Sequence, residues 1–371
     1  MAQALHMSRV DDAERIARLL SPDPLMGSIS GLFLAAPRRT GKTTFLRSDL
    51  IPLLEERGFV VAYADLWEDK TRDPADVIVS AIRDAMQRNE GVVARLRRRN
   101  PVDALGVLGV SVGLKDGGRW EGTLSQAAQL LVEATGSDLV LIVDEAQQAL
   151  ETQAGMDAML ALKAARDAVN LGTDRRLYLV MTGSHRDKLA TLVSNQQAPF
   201  FGAMLRDFPP LGHGYATLVT AHVNASLAEK AQLAVEDVAT AFTRLDHRPE
   251  LLLSCLREML LAPEGAGPDS LRRLTGQMRD RMVGDLRAEI EDLSEIQRRL
   301  LSAMARGGDD FQPFAEATRT RLMSDAGRVP SVTMVQKALD ALRSKGFVWR
   351  QGHGRYVLNG TDVAAALAEL G

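Results

Sequence analysis

Short apolar runs alternate with stretches of helical periodicity over the N-terminal part of the chain. Four runs have the length and composition of buried strands, at 31–35, 59–66, 138–144 and 176–182. Helical patterns fill the intervals at 43–57, 74–88, 124–135 and 156–170. Because strands covered on both faces are continuously apolar, this pattern predicts an α/β fold, a mostly parallel sheet with helices on both faces. The stretch 104–124 alternates valine with glycine, which predicts a hairpin or a flexible insertion.

After the segment FPPLGHGY (208–215), the pattern becomes purely helical. Helices are predicted near 215–226, 235–245, 249–262 and 269–305, with a break in the last near 292–294. The tail from about 294 adds helices at 295–306 and about 313–325. We therefore expect a small helical bundle followed by a separate C-terminal part.

The last part of the tail predicts one more helix and a hairpin. Helical spacing places Val332, Val335, Leu339 and Leu342 on one apolar face, and Gly346 ends the helix. The segment FVWRQGHGRYVL (347–358) then alternates apolar and polar residues around a Gly-His-Gly turn, as a two-stranded hairpin does. Three helices followed by such a hairpin are the elements of a winged helix.

The stretch LAAPRRTGKTT (34–44) differs at one position from the phosphate-binding loop G-x-x-x-x-G-K-[ST]. In this loop Gly41 lets the backbone approach the β-phosphate, Lys42 reaches the β- and γ-oxygens, and Thr43 offers a hydroxyl to Mg²⁺. Ala36 replaces the first glycine, at a strand end that requires a small residue more than a positive φ. The residues predicted to bind ATP are Ala36, Pro37, Arg38, Arg39, Thr40, Gly41, Lys42, Thr43 and Thr44.

A second motif, LVLIVDEAQQ (139–148), places Asp144 and Glu145 at the end of an apolar strand. Such an aspartate is positioned to hold Mg²⁺, usually through water, and such a glutamate to orient and deprotonate an attacking water. An Asp-Glu pair can also simply open a helix as a cap. Its occurrence downstream of a phosphate loop favours a nucleotide site, with Thr43 and Asp144 as metal ligands and ATP and Mg²⁺ as cofactors.

These two motifs and LYLVMTGSHRDKL (177–189) resemble the central motifs of the P-loop ATPases grouped as AAA+ and STAND proteins. The likeness is greatest to bacterial and archaeal ATPases whose loop is G-P-R-R-x-G-K-T-[ST]. It extends from about residue 10 to the end of the chain, since those proteins also carry a helical lid and a winged helix. The resemblance implies a P-loop ATPase core at 1–210, a helical lid with a connecting helix at 211–292, and a winged-helix domain at 293–371.

The resemblance also implies further site residues. The sensor-1 position, where a polar side chain contacts the γ-phosphate or the water, matches Ser184, with Thr182 as second choice. Relatives often carry an arginine after the sensor that acts across a subunit boundary. Here the matching residue is Ala203, and the nearest arginine, Arg206, either substitutes or is a surface residue. In the lid, Arg248 either is the sensor-2 arginine or caps the following helix.

Composition restricts the class of protein more than its function. The 371 residues are 46% hydrophobic and 25% charged with a net charge of -3, so any nucleic-acid contact must be a local patch. The single cysteine, Cys255, excludes an internal disulfide and fits a reducing compartment. Acidic residues near the N-terminus and the lack of a long apolar run predict a cytoplasmic protein without a membrane span.

The predicted winged helix carries a local excess of positive charge. Between 331 and 355 there are five basic residues and one acidic residue, a net of +4. Basic side chains there would contact phosphates, and a threonine and a glutamine could reach base edges. A winged helix in this family can instead pack internally as a switch. The DNA-contact residues under the first interpretation are Thr333, Gln336, Lys337, Arg343, Lys345, Arg350 and Arg355.

Taken together, the sequence predicts an ATPase that couples its nucleotide state to conformational change or assembly. Lys42, Glu145 and Ser184 would act in hydrolysis, with Arg206 as a further catalytic residue. One hypothesis makes it a helper that assembles on duplex DNA. The other makes it a signalling switch whose partner is a protein or a second copy of the chain. A small-molecule kinase is weaker, because no acceptor pocket follows from the residues.

Overall fold

The computed structural model describes most of the chain, in two compact units. The N-terminal unit spans His6–Pro209, and the C-terminal unit comprises Pro210–Gly371 with Met1–Leu5. The stretch 104–124, predicted as a hairpin or insertion, lies outside the described residues up to position 122. The described residues are 5–21, 31–37, 39–69, 71–89, 123–172, 174–194, 196–261, 265–308, 311–323, 327–352, 355–359 and 361–369.

The N-terminal unit is built on a five-stranded parallel sheet with the strand order β2-β3-β4-β1-β5. Its strands are β1 (Leu32–Ala35), β2 (Val60–Asp65), β3 (Leu139–Asp144), β4 (Leu177–Gly183) and β5 (Met204–Asp207). Its helices are α1 (Val10–Leu19), α2 (Lys42–Phe45), α3 (Ile51–Glu56), α4 (Pro74–Arg88), α5 (Leu124–Thr135), α6 (Gln153–Gly172) and α7 (Arg186–Thr191). The predicted α/β fold with a parallel sheet is confirmed.

Alternate residues of the strands enter two different cores. In β1, Leu32 and Leu34 pack in a core with α1 and the helix that follows the phosphate loop. Phe33 and Ala35 pack instead with α4, α5 and α6. Since successive side chains of a strand point to opposite faces, helices cover both sides of the sheet. Each large apolar side chain buried in this way contributes about 1.5–3 kcal/mol to folding, which explains why these strands carry no polar alternation.

Strand β5 is not indicated by the sequence pattern. It has only four residues, and Arg206 and Asp207 are both exposed at the edge of the sheet. It pairs with β1, where Leu34 lies opposite Arg206. The pairing with β1, rather than any apolar run, makes this segment a strand.

The helix after the phosphate loop contains a π-helical turn. Residues Leu46–Leu50 form this turn between α2 and α3, where the sequence predicts one regular helix. It directs Asp49 inward, and Asp49 Oδ1 accepts a hydrogen bond from the backbone N–H of Arg9 at 2.9 Å. The Arg9 guanidinium lies over the rings of Phe45 and Phe208, at 5.2 and 4.6 Å from their centroids. The segment before α1 is therefore fixed to this helix.

The C-terminal unit is helical apart from one hairpin. Ser294 and Gln297 form a reciprocal capping box, which accounts for the predicted break in the long helical stretch. The helix predicted at 313–325 spans only Glu316–Arg321, and the sequence pattern does not predict the last helix, Thr361–Glu369. No described helix is long and apolar enough to cross a membrane. The elements are α8 (His213–Asn224), α9 (Val235–Arg244), α10 (Pro249–Leu261), α11 (Pro268–Glu291), α12 (Glu295–Gly307), α13 (Glu316–Arg321), α14 (Val332–Ser344), β6 (Val348–Gly352), β7 (Arg355–Leu358) and α15 (Thr361–Glu369).

One core joins the long helix α11 to the elements of the predicted winged helix. It contains Val283 and Ile290 of α11 together with residues of α12, α14, the β6–β7 hairpin and α15. In α14, Val335, Leu339 and Leu342 are buried as predicted. The prediction is wrong for Val332, which is 50% exposed because it begins the helix, before the buried face is established.

Candidate functional site

The phosphate loop leads from β1 directly into α2. Gly41 precedes α2 with φ 85° and ψ 16°, a left-handed conformation that favours glycine. Arg39 also has a positive φ, of 67°, and Thr40 Oγ1 donates a hydrogen bond to the carbonyl of Pro37 at 2.8 Å. Arg38 lies outside the described residues. Left-handed residues in a loop that enters a helix direct backbone N–H groups toward the start of that helix, the arrangement that binds phosphate.

Ala36 occupies the first position of the motif without a left-handed backbone. It is buried, and its N–H donates to the carbonyl of Gly183 on β4 at 3.1 Å, which continues the sheet pairing. Its carbonyl accepts a hydrogen bond from Lys42 Nζ at 3.2 Å. A small residue is sufficient here, because the position lies in the sheet rather than in the turn.

Asp144 receives four hydrogen bonds at the end of β3. Thr43 Oγ1 and Tyr63 Oη donate to its Oδ2 at 2.8 and 3.0 Å. Thr182 Oγ1 and the backbone N–H of Glu145 donate to Oδ1, the latter at 3.0 Å. The carboxylate is buried, and these donors hold it in one orientation beside the Thr43 hydroxyl.

Glu145 is held differently, by a charge on one oxygen and by hydrogen bonds on the other. Its Oε1 lies 3.3 Å from Lys42 Nζ. Its Oε2 accepts from Ser184 Oγ at 2.8 Å, from the Ser184 N–H at 3.3 Å, and from Gln147 Nε2. Burial raises the pKa of Glu145, but the Lys42 charge and the hydrogen bonds from Gln147 and Ser184 outweigh it, so the pKa lies below its ordinary value.

The backbone of Glu145 has a positive φ of 54°, which is uncommon for a residue with a side chain. This conformation ends β3 and starts a 3₁₀ helix over Ala146–Glu151. It is the turn at which the Glu145 carboxylate meets the end of β4. Backbone conformations of this kind cost of the order of 1–3 kcal/mol and often occur at functional sites.

The two polar residues at the end of β4 contact different carboxylates. Thr182 bonds to Asp144, whereas Ser184, the first choice for the sensor, bonds to Glu145. Ser184 Oγ also lies 3.1 Å from His185 Nδ1. The end of β4 therefore contacts both acidic residues of the motif on β3.

A cavity of about 400 Å³ lies at this edge of the sheet. Asp65, the last residue of β2, and Trp67, just after it, also line the cavity and carry no motif, although the ends of parallel strands are where ligands bind in such folds. Burial and the nearby Asp144 raise the pKa of Asp65. The cavity is lined by Arg39, Gly41, Lys42, Thr43, Thr44, Asp65, Trp67, Asp144 and Glu145.

The side chains present fit a magnesium nucleotide. A hydroxyl and a carboxylate in contact, Thr43 and Asp144, are the hard oxygen donors that Mg²⁺ takes together with phosphate oxygens and water. Lys42 is buried at the same cavity and supplies positive charge for phosphates. Within the described ranges, no group of three or more His, Cys, Asp or Glu side chains could hold a metal alone.

Two of the arginines predicted as site residues, Arg206 and Arg248, lie outside the sequence motifs that form the cavity. Arg206 is exposed on the edge strand β5, while Ala203 is half-buried and packs against the core. Arg248 belongs to the C-terminal unit, where its Nη2 lies 3.3 Å from Asp246 and 3.9 Å from Asp362. Their roles as catalytic and sensor-2 residues stay predictions.

The predicted DNA-contact residues occupy α14 and the hairpin. Gln336 Nε2 and Arg343 Nη1 both donate to Asp340, at 3.0 and 3.3 Å. Asp340 therefore partly neutralises the basic surface of α14. The exposed residues of the set are Thr333, Lys337, Lys345, Arg350 and Arg355.

Comparison with known proteins supports the class of fold. No protein-family model matches the chain, and no curated protein matches it. Among solved structures it is similar to a Walker-type ATPase of Pyrococcus abyssi, PABY2304, with a TM-score of 0.58, 17% identity, and coverage of 98% of this chain and 96% of that one. It is also similar to the Aeropyrum pernix ORC2 protein in ADPNP–ADP complexes, with a TM-score of 0.52, 15% identity, and coverage of 97% and 93%.

The chain shares its fold with these two archaeal proteins, in agreement with the fold that the sequence resemblance implied. The similarity to the two archaeal proteins extends over nearly the whole chain, including the helical C-terminal unit.

Proposed function

We propose that the protein binds ATP with Mg²⁺ and hydrolyses it, and that the nucleotide state changes its conformation or assembly. One observation carries this proposal: a single cavity at the end of the parallel sheet is lined by Lys42, Thr43, Asp144 and Glu145. Direct contacts link Lys42 to Glu145, Thr43 to Asp144, and Ser184 to Glu145. These residues come from three strand ends far apart in the sequence. Their convergence is what a nucleotide site of this class requires.

Each side chain has a defined task in this proposal. Lys42 exchanges its contacts with Glu145 and the Ala36 carbonyl for the β- and γ-phosphates. Thr43 and Asp144 would hold Mg²⁺, which supplies charge neutralisation between the phosphates when bound. Glu145 orients the attacking water through Oε1. The Lys42 charge lowers the pKa of this carboxylate, and that contribution ends when Lys42 moves to the phosphates.

The test compares the full-length protein with Lys42→Ala and Glu145→Gln. Nucleotide affinity is measured by calorimetry and hydrolysis by phosphate release. Loss of a positive charge should abolish tight binding in Lys42→Ala, whereas Glu145→Gln should bind ATP normally and lose hydrolysis by about 100-fold or more. A wild-type protein that neither binds nor hydrolyses ATP with Mg²⁺ would contradict the proposal.

Arg206 and Arg248 enter the proposal as secondary residues. An exposed arginine on an edge strand could reach a neighbouring copy of the chain, which favours Arg206 for a role in a homo-oligomer. Such a role predicts that Arg206→Ala lowers hydrolysis only at protein concentrations that permit assembly. Arg248, in the C-terminal unit, stays the proposed sensor-2 residue.

For the partner, two proposals remain. The exposed Lys337, Lys345, Arg350 and Arg355 support contact with duplex DNA phosphates. Two observations support instead a switch in which the winged helix moves with the lid. Asp340 pairs internally with Gln336 and Arg343. One core also joins α11 to α14 and α15. A cytoplasmic location stays part of the proposal, because a single cysteine fits a reducing compartment.

Light scattering after gel filtration separates these two proposals. The Glu145→Gln variant is run with ADP and with ATP, in the presence and absence of duplex DNA. An ATP-dependent complex with DNA supports the first, and a change of shape or oligomeric state without DNA supports the second. An unchanged monomer in every condition contradicts both.

A further inference from the structure

Gln147 is a buried polar residue at the centre of the site, and the sequence motifs assign it no role. It follows the Asp-Glu pair on the 3₁₀ helix Ala146–Glu151 and has no solvent exposure. Its Nε2 donates to Glu145 Oε2 and to Ser184 Oγ, the latter at 3.0 Å. One amide therefore joins the acidic residue after β3 to the polar residue after β4.

The neighbouring strand is shaped around this side chain. A Cβ atom at Gly183 would lie 2.5 Å from Gln147 Oε1, which is closer than non-bonded atoms approach. Gly183 lies within β4 and has no positive φ, so glycine there provides space for Gln147 rather than a special backbone conformation. Gln147 Oε1 is buried and has no hydrogen-bond partner in the described part of the chain. A buried amide with an unpartnered oxygen is costly, and it is retained where its donor group has a task.

That task follows from the division of contacts on Glu145. Lys42 contacts Oε1, while Gln147 and Ser184 contact Oε2. When Lys42 turns to the phosphates, Oε1 loses its charged partner and becomes available to a water. Within the described ranges, the remaining side-chain contacts of Glu145 are those on Oε2, so these must keep the carboxylate in position during the reaction.

We propose that Gln147 is a positioning residue for hydrolysis, which holds Glu145 Oε2 so that Oε1 faces the attacking water, and that Gly183 exists to admit it. This inference rests on the proposed ATPase function. It assigns Gln147 no contact with the nucleotide or with the water. It differs from a purely structural role, because it predicts an effect on the rate of hydrolysis and none on nucleotide affinity.

The experiment uses Gln147→Met, which keeps the volume of the side chain and removes its donor. Gln148→Met is the matched control, since Gln148 is the adjacent glutamine and lines a different, outer cleft. Misplacement of a reacting group by about 1 Å can reduce a rate by up to about 100-fold, so we expect kcat to fall 10-fold to 100-fold in Gln147→Met. The ATP dissociation constant should stay within about twofold of the wild type, and Gln148→Met should behave as the wild type.

A second variant approaches the same contact from β4. Gly183→Ala places a methyl group against Gln147 Oε1 and should lower kcat to a similar extent. In a Gln147→Ala background the contact with Oε1 is gone and Leu189 Cδ1, 3.2 Å from the added Cβ, is the remaining close neighbour, so Gly183→Ala should cause a smaller further loss. Such non-additivity is expected only if the two residues act through one contact.

The outcomes are distinct. Wild-type rates in Gln147→Met, faster hydrolysis in that variant, or fully additive losses in the double variant would each overturn the inference. A wild-type protein that does not hydrolyse ATP would overturn the proposed function instead. Far-ultraviolet circular dichroism and nucleotide binding confirm that each variant is folded.

Discussion

The hydroxyl of Tyr63 donates a hydrogen bond to Oδ2 of Asp144 at 3.0 Å, across two neighbouring strands. Burial and the Asp144 charge raise the pKa of Tyr63, which keeps the hydroxyl protonated and able to donate. Thr43 uses the same carboxylate oxygen. Tyr63 therefore belongs to the support of the proposed metal ligand, although it comes from a strand that carries neither motif.

Replacement of Tyr63 by phenylalanine removes one of four donors to a buried carboxylate. We expect the free energy of unfolding to fall by about 1.5 kcal/mol, near the lower limit for hydrogen bonds to charged groups, because three donors remain. The Mg²⁺ concentration for half-maximal hydrolysis should rise several-fold. Urea unfolding and a Mg²⁺ titration measure the two effects. The control is Tyr178→Phe, because Tyr178 lies near the start of β4, at the end away from the site. Equal Mg²⁺ dependence in the two variants would contradict a role of Tyr63 in supporting Asp144.

Thr182 and Ser184 should have separable effects because they contact different carboxylates. Thr182→Val should shift the Mg²⁺ dependence, since Thr182 supports Asp144. Ser184→Ala should instead lower kcat about 10-fold at saturating Mg²⁺, since Ser184 supports Glu145. Steady-state kinetics over a Mg²⁺ series distinguish them. Identical kinetic profiles for the two variants would show that the two carboxylates do not act separately.

Asp362 connects α15 to two arginines of the C-terminal unit. Its carboxylate lies 3.9 Å from Arg248 and 3.6 Å from Arg279, and it is 13% exposed. Asp362→Asn should lower the free energy of unfolding by about 1 kcal/mol, because the arginines are partly exposed to solvent. Asp269→Asn is the control: it pairs with Arg272 at an exposed position and should change stability by less than about 0.5 kcal/mol.

Cys255 reports on the folding of the C-terminal unit. It is fully buried in α10, and burial raises the pKa of its thiol, which lowers the fraction of reactive thiolate. Alkylation by a thiol reagent at neutral pH should therefore be slow in the native protein and become fast in the denaturant range where this unit unfolds. Fast labelling of the native protein would show that the α10–α11 region opens without global unfolding.

If α14 and the hairpin contact duplex DNA, removal of Lys337 together with Arg343 should weaken binding in a salt-dependent way. Removing a side chain that binds one phosphate reduces the slope of log affinity against log salt by about 1. Fluorescence anisotropy over a salt series measures this slope. Arg343 is paired with Asp340, so Lys337→Ala alone should account for more of the change than Arg343→Ala alone. Unchanged affinity in the double variant would exclude this surface.

The sequence was sufficient for those parts of the fold where a single chemical signal dominates. β2, β3 and β4 are long apolar runs, and α4 and α5 match the predicted bounds because a cap and an amphipathic pattern agree. β5 and α15 could not be predicted in this way. Their existence depends on pairing and packing with distant elements, and neither is long or strongly patterned.

The same limit applies to the site. Lys42, Thr43, Asp144 and Glu145 belong to local motifs, and the structure places them together. Tyr63 lies outside the motifs, because its contact depends on the register between β2 and β3. Gln147 lies within the second motif, but its contacts depend on how the 3₁₀ helix after β3 meets the end of β4. Gly183 gave one indirect signal: a glycine inside a strand often marks the close approach of another group.

The π-helical turn at Leu46–Leu50 sets the angular phase of the helix that follows the phosphate loop. A π turn holds one residue more than an α-helical turn closed over the same span. A one-residue deletion within it would restore a regular helix, rotate Asp49 away from the Arg9 N–H, and leave Lys42 and Thr43 in place. Variation in chain length at this point would thus remove one anchor of the N-terminal segment without altering a single residue of the phosphate loop.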